Sequence, residues 1–462
     1  MNWFERNESI WVLFGLGVLL RLLVFSVITA SGVDPHAEVI EFIAVRHRIP
    51  LAHEIYNGAH PPLYYLISVP FYLLDDPKLL KLTQLPALLM GVLNLWLLAK
   101  VLLQTTAHAL ARNLSYLLLA VCSPPFLTYS LYISNDSLAF LMGTVLFYVL
   151  WRYAQDPRRT YELALGVLVG LAISTKLTLL PLAGAAGLFI LVVRWRNAEP
   201  WAERLIALLA FALLVGVFGG FKFIQNKHYE HRFLLHVMDF YPLPWQEFYL
   251  GWRSLLNFNL PDLMLHPNFS DAHATRHSLP LLLYATMWYK HIYFENNLTF
   301  GNYSPFRYLA AFIYALGLLP TGAMIAGVGY QLKTRLTGLV ASWRGTSPLP
   351  FRVNLWELLV IGLTLLGIFA LFASGIRYNS WSYLHARLFG HYWLGILLFS
   401  VWGLTWVQAR FPRLFRFVAL GYLTLAALYL LHFSVEVGVR YWLWAQTGDW
   451  AARMPYIDPR WE

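Results

Sequence analysis

Charge is what this chain has least of: of its 462 residues only 13% are Asp, Glu, Lys or Arg, while 58% are hydrophobic. A water-soluble fold of this length cannot hide so much apolar surface, so the deficit excludes ordinary globular classes and makes lipid the main solvent. Cysteine is nearly absent too. The single Cys122, inside an apolar stretch, excludes an internal disulfide and any cysteine-based metal cluster. The marks of a cleavable leader are also missing. The first apolar run follows Glu5, Arg6 and Glu8, nearly balanced in charge, and no Ala-x-Ala-like site closes it, so it is expected to stay as an anchor. No internal repeat or low-complexity tract is visible, which removes the inverted-repeat signature of many transporters.

What the chain does have is a series of apolar runs, at residues 10–30, 82–103, 205–221, 355–373, 392–407 and 417–433, each near the roughly 20 residues that a spanning helix needs. Barrels lack such runs, so the expected fold is all-α, a polytopic helical membrane protein. The formal net charge of +10 comes from short basic runs between apolar segments, which fits membrane orientation rather than nucleic-acid binding. Three connections are plainly basic: Arg152, Arg158 and Arg159; Lys333, Arg335, Arg344 and Arg352; and Arg410, Arg413 and Arg416. The positive-inside rule places all three in the cytoplasm.

Alternating from these anchors gives about 11 spans, a cytoplasmic N-terminus and a series of external segments: residues 134–136, Lys176, the stretch 225–307, residues 377–387 and the C-terminal tail. The apolar stretch 63–74 is too short to span and is expected to lie as an interfacial or re-entrant helix in a large first external loop, residues 31–81. Residues 160–196 read as two short helices meeting outside at Lys176. The aromatic, histidine-rich and proline-interrupted stretch 225–307 is expected to form an external cap with interfacial helices. This divides the chain into residues 1–224, a transmembrane module with the first loop; 225–307, the cap; and 308–462, the last spans and tail.

The first loop carries the chemistry. It opens Asp34-Pro35-His36-Ala37-Glu38, continues through an amphipathic stretch (Val39, Ile40, Phe42 and Ile43 against Glu38, Glu41 and Arg46), and ends in His60-Pro61-Pro62-Leu63-Tyr64-Tyr65. Acids, imidazoles and aromatics crowded at a membrane surface suit work on a lipid-borne substrate. A carboxylate can deprotonate a hydroxyl nucleophile, and nearby cations can hold a phosphate. A phosphate leaves without being protonated, so one base suffices, whereas glycoside hydrolysis uses two carboxyl groups.

These residues, with Arg21 in the first span, Asn135-Asp136 after a proline-rich span and Ser174-Thr175-Lys176-Leu177, resemble the GT-C glycosyltransferases, in particular glycosyltransferase family 39, which includes protein O-mannosyltransferases and the aminoarabinose transferase of lipid A. The resemblance covers roughly the first 200 residues; later, only Ala386-Arg387-Leu388 joins it. It implies a GT-C-like fold, a polyprenyl-phosphate-sugar donor, an acceptor that is a glycan, a lipid or a protein, an outward-facing site, a base in the first loop and inversion at the anomeric carbon. Carried onto this chain, it makes Asp34 the base with Glu38 as the alternative, because Asp34-Pro35 stands where many relatives have Asp-Glu. His60, Lys176 and Arg387 become donor-phosphate ligands, and His36, Tyr64, Asn135 and Asp136 supporting residues. The charge pattern independently puts Asp34, His60, Asp136 and Lys176 on one face.

Each residue also has a plainer role. Asp34 before Pro35 is a helix-capping signature, and Asp136 can cap the span that starts at Ser137 or brace the loop through an ion pair. Lys176 can snorkel, although an ionisable group at that depth is a functional candidate. Arg21, near mid-span, is expected to pair with an internal carboxylate. The histidines at 228, 231, 236, 266, 273, 277 and 291 lack HExxH-type spacing, so no metal site is assigned, and a divalent ion is left open as a cofactor. A transporter or lipid flippase would also want intramembrane charges and broken helices, but here the charges gather on one face. The expected location is a bacterial plasma membrane.

Overall fold

The computed structural model describes residues 2–28, 35–76, 80–235, 237–241, 251–265, 278–289, 304–346, 349–378 and 386–448. No strand occurs among them. The helices are α1 (Ser9–Val27), α2 (His36–Arg46), α3 (Leu63–Leu73), α4 (Lys81–Thr105), α5 (Ala109–Ser115), α6 (Pro124–Tyr129), α7 (Asp136–Gln155), α8 (Arg159–Ile173), α9 (Leu180–Arg196), α10 (Trp201–Gly219), α11 (Phe221–Glu230), α12 (Leu260–Leu265), α13 (Leu279–Trp288), α14 (Ser304–Trp343), α15 (Phe351–Tyr378), α16 (Trp393–Arg410) and α17 (Pro412–Thr447). Among the described residues, nine helices are long and apolar enough to cross a membrane. The expected count of about 11 is two more than these nine; α8, read as a passage in that scheme, has 15 residues, and the path from α5 to α6 is broken. The stretch 63–74 forms α3, a short apolar helix of 11 residues.

The long helices run between two ends of a bundle. At one end the starts and ends of α7, α8 and α9 are tied by a buried network: Arg194 donates to both oxygens of Glu162 at 2.7 and 2.6 Å, and Tyr153 donates to Glu162 at 2.7 Å. Arg196 joins this end to α14, donating to the Trp343 carbonyl at 3.3 Å. The same end carries Arg158, paired with Asp156 at 2.5 Å. At the opposite end the first loop meets α8, α11 and the start of α7. The Leu63 N–H donates to the Ser174 carbonyl at 2.9 Å, and Lys222 donates to the Pro50 carbonyl at 2.9 Å. The basic connections and the motif residues thus lie at opposite ends.

Between α5 and α6 the chain takes a π-helical course over Tyr116–Cys122. The cause is Pro124-Pro125, which have no N–H to offer the carbonyls of the preceding turn. In a lipid environment those carbonyls need other donors. Trp393 Nε1 donates to the Leu119 carbonyl at 2.8 Å, and Arg21 Nη2 to the Ala120 carbonyl at 3.0 Å. Arg21 also donates to Ser130 Oγ at 3.2 Å and to the Gly17 carbonyl at 3.1 Å, and lies over the Phe126 ring. The expectation of a carboxylate partner for Arg21 is therefore corrected: among the described residues its hydrogen-bond partners are the Ala120 carbonyl of the broken helix, Ser130 Oγ and the Gly17 carbonyl of its own preceding turn.

The last apolar run was read as ending at residue 433, yet α17 continues unbroken to Thr447. It does so because His432, Glu436 and Arg440, each a turn apart, point inward and are buried rather than ending the span in water.

Helices α14 and α16 cross at glycines. A Cβ on Gly403 would sit 1.8 Å from the Ala323 carbonyl oxygen, and one on Gly327 would sit 2.3 Å from that of Phe399. Such small-residue crossings are how backbones approach closely in lipid. Gly403→Ala is expected to lower stability by about 1–3 kcal/mol through overpacking. Gly322→Ala, where an added Cβ meets nothing within 4 Å, is expected to be neutral or stabilising. Thermal unfolding in detergent compares the two.

Candidate active site

The centre of the site is the first turn of α7. Asp136 stands at the positive end of that helix, where a carboxylate is favoured. The cap position is Asn135, without a side-chain cap bond, so the capping role offered for Asp136 gives way to the ion-pair role. One oxygen of Asp136 contacts Lys176 Nζ and the other accepts from Ser134 Oγ at 3.0 Å. Both partners are buried, Asp136 at 2% and Lys176 at 7% exposure, so the pair is shielded from solvent screening. Lys176 sits where α8 gives way to α9, its N–H still bonded to the Ala172 carbonyl at 3.0 Å. Asn135 Nδ2 donates across to the Thr175 carbonyl at 3.4 Å. The two short helices expected over 160–196 thus do meet at Lys176.

The first loop closes on this pair. Tyr64 is fully buried, and its hydroxyl accepts the Ser134 N–H at 3.1 Å. His36, at the start of α2, is buried with Nδ1 2.7 Å from the Tyr65 hydroxyl, and its ring centroid lies 5.7 Å from that of His60. Arg387 comes from the far end of the sequence, in the turn before α16. It is buried, its guanidinium lies 5.1 Å from the centre of the Tyr129 ring, and its charge and that of His36 both act on Asp136. His391, one turn further on, is buried and feels the charges of both Lys176 and Asp136.

Of the residues singled out in the sequence, Asp136, Lys176, Asn135, Tyr64, His36, His60 and Arg387 therefore converge. Glu38 does not share their burial: it is exposed on α2, whose buried face is made of His36, Val39, Ile40, Ile43 and Ala44. Asp34 lies outside the described residues. The cap position of α2 is Pro35. Sequence reasoning gave no role to Ser134 or His391. Ser134, two residues before Asp136, was legible as a local hydroxyl partner of that carboxylate; His391 was legible only as a neighbour of Arg387 in the chain, not as a neighbour of Lys176. Among the described residues no group of three or more His, Cys, Asp or Glu is placed to hold a metal ion. His236, His266, His273, His277 and His291 lie outside the described residues.

Two fixed cations, Lys176 and Arg387, against one carboxylate leave one net positive charge, with imidazoles around it. That balance fits a singly charged phosphodiester, and the cations are buried where a charge-assisted contact is strong.

The segment that carries His60 to Tyr65, Asn135-Asp136 and Ser174 to Leu177 is also the segment with a family match: residues 59–218 match the family described as dolichyl-phosphate-mannose-protein mannosyltransferase. The resemblance to glycosyltransferases of the GT-C class is thereby shown over that part of the chain. Among solved structures, the chain is similar to ArnT from Cupriavidus metallidurans in the apo state, with 16% identity and a TM-score of 0.39, covering 87% of this chain and 79% of that one. It is similar to the same protein bound to undecaprenyl phosphate, with 16% identity, a TM-score of 0.38, and 87% and 80% coverage. No curated protein matches the chain significantly.

Outside the membrane, Arg48 clasps Glu54 at 2.8 and 2.5 Å, and the Leu51 N–H adds a bond at 2.7 Å. The Arg48 bonds hold the Glu54 carboxyl down at about 2. A depressed carboxylate stabilises the loop fully above its unfolded pKa of about 4.3 and loses that contribution as pH falls toward the folded value. Hydrogen exchange at the Leu51 amide is expected to stay protected through pH 5 and to accelerate only as pH falls from about 4.3 toward 2; Glu54→Gln is expected to remove the protection at every pH.

The Asp136–Lys176 pair makes a second expectation. Asp136→Asn or Lys176→Met alone leaves a buried uncompensated group and is expected to cost about 3–5 kcal/mol, while the double variant recovers much of that. Denaturation in detergent across the four proteins measures the coupling.

Proposed function

We propose that this protein is a glycosyltransferase that moves a sugar from a polyprenyl-phosphate donor to an acceptor hydroxyl at the external face of the membrane, with inversion. The observation that carries the proposal is the buried pair of Lys176 and Asp136, whose carboxylate also feels the charge of the buried Arg387, with Asp136 and Lys176 inside the segment that matches a family whose description names a dolichyl-phosphate sugar. That description supports a polyprenyl-phosphate donor as the class. The external face is supported by the separation of the basic connections from the site across the length of the bundle.

In the proposed reaction the acceptor hydroxyl attacks the anomeric carbon from the face opposite the phosphate. Its proton passes to the Asp34 carboxylate, the new C–O bond forms, and the bond from that carbon to the phosphate oxygen breaks. The lipid phosphate departs with one more negative charge than the diester had. Lys176 and Arg387 are placed to stabilise that growing charge, and cations held in a dry site act more strongly there than in water. Asp136 and Ser134 position Lys176, and Tyr64 positions Ser134. His36 and His60 tie the first loop to this centre. The exposed place of Glu38 favours Asp34 as base, since Asp34 precedes the buried His36 by two residues. Displacement in one step with a single base inverts the anomeric centre.

The test is transfer of label by the purified protein from radiolabelled polyprenyl-phosphate sugars, hexosyl and pentosyl, to glycan, lipid and peptide acceptors. Label is expected to move from at least one donor, giving a product of inverted configuration by NMR. Asp34→Asn is expected to lower kcat by about 10²–10⁴-fold, and Arg387→Met to raise the KM for donor. A folded Asp34→Asn protein with wild-type turnover removes Asp34 from the base role; absence of transfer from every polyprenyl-phosphate sugar sinks the proposal as a whole.

A further inference from the structure

A second polar cluster lies in the membrane-spanning part of the bundle. His432, Glu436 and Arg440 follow one another at four-residue intervals along one face of α17, at 3%, 2% and 3% exposure. His432 Nε2 lies 3.4 Å from a Glu436 oxygen, within ion-pair distance but without hydrogen-bond geometry. Among the described residues, neither oxygen of Glu436 accepts a hydrogen bond. A carboxyl group at this depth with its lone pairs unused is costly, and an ionisable group inside a membrane protein is a functional candidate by default.

The surroundings of the cluster indicate its ligand. The Tyr289 ring lies 5.6 Å from the His432 ring and feels the Glu436 charge. At the other end Arg440 interacts with Tyr132. Tyr132 lies 6.2 Å, centroid to centroid, from Tyr129, the ring beneath the Arg387 guanidinium. The cluster is therefore continuous with the phosphate-handling cations through two aromatic rings. Arg440, buried one turn beyond Glu436, acts on its carboxyl group, and a buried carboxyl group set beside tyrosine rings suits a ligand that carries hydroxyls rather than a second anion. Free carboxylate oxygens accept hydrogen bonds from hydroxyls, and aromatic faces take the C–H faces of a pyranose or furanose ring.

Resting on the function proposed above, we infer that Glu436, with His432 and the Tyr132 and Tyr289 rings, forms a sugar-recognition subsite that selects the glycosyl unit held beyond the phosphate. The same chemistry suits the donor's sugar or a sugar of the acceptor, and kinetics separate the two.

The variants are Glu436→Gln, which keeps the shape and turns one acceptor oxygen into a donor, and His432→Asn, which serves if the first does not fold. Each is measured for donor KM and acceptor KM, and for equilibrium binding of polyprenyl-phosphate sugar and of bare polyprenyl phosphate. Bare polyprenyl phosphate is expected to bind within twofold of wild type. A rise of tenfold or more in donor KM, with loss of the affinity that the sugar adds to the lipid phosphate, assigns the subsite to the donor. A similar rise confined to acceptor KM assigns it to the acceptor. A folded variant with both KM values and both affinities within twofold of wild type overturns the inference and leaves the cluster as a packing device. If the wild-type protein transfers nothing, the function proposed above fails, while the binding comparison still decides the subsite: unchanged affinity for the sugar-bearing lipid in the variant overturns it.

Discussion

The hydrocarbon layer offers no water to a backbone carbonyl that its own helix has abandoned, and much of the arrangement follows from that constraint. Pro124 and Pro125 strip donors from the turn before them, and the carbonyls of Leu119 and Ala120 take theirs from Trp393 and Arg21. Those two side chains come from α16 and α1, so the repair ties three distant parts of the chain together at one level. The break also turns the chain toward α7, so that Ser134 and Asp136 meet Lys176. A pair of prolines that would weaken a soluble helix here sets the geometry of the site.

The same economy governs the charged groups. Asp136 is shared between an ammonium and a hydroxyl, Arg194 is held by both oxygens of Glu162, and Arg335 is held by Glu357 at 2.5 Å. The Arg194 and Arg335 networks are at the basic end and close the junctions of helices. The Asp136 network is at the other end, where the first loop, the tip between α8 and α9, and the turn before α16 come together. The division is electrostatic: paired charge ties helices at one end, and a surplus of positive charge gathers around Asp136 at the other.

Much of this was legible in the sequence, because hydropathy and the distribution of Arg and Lys are one-dimensional signals. They gave the helical class, the shortness of α3, the meeting of two helices at Lys176 and the common face of His60, Asp136 and Lys176. What was not legible depends on which way a side chain turns. Arg21 was assigned a carboxylate because the sequence shows charges and not orphaned carbonyls. The apolar run 417–433 stops before Glu436 and Arg440, and only the fold shows that these two continue α17 and turn inward. The place of His391 beside Lys176 carried no signal, since that proximity is created by packing between segments more than 200 residues apart.

The contact between α7 and the turn holding Arg387 has a mechanical consequence. Gly143 leaves room for the backbone of His391, where a Cβ would come 2.0 Å from its carbonyl oxygen, and Gly390 leaves room for the Phe140 ring. With each element notched to receive the other, Asp136 and Arg387 ride on a single stiff block that cannot breathe apart without tearing both interlocks.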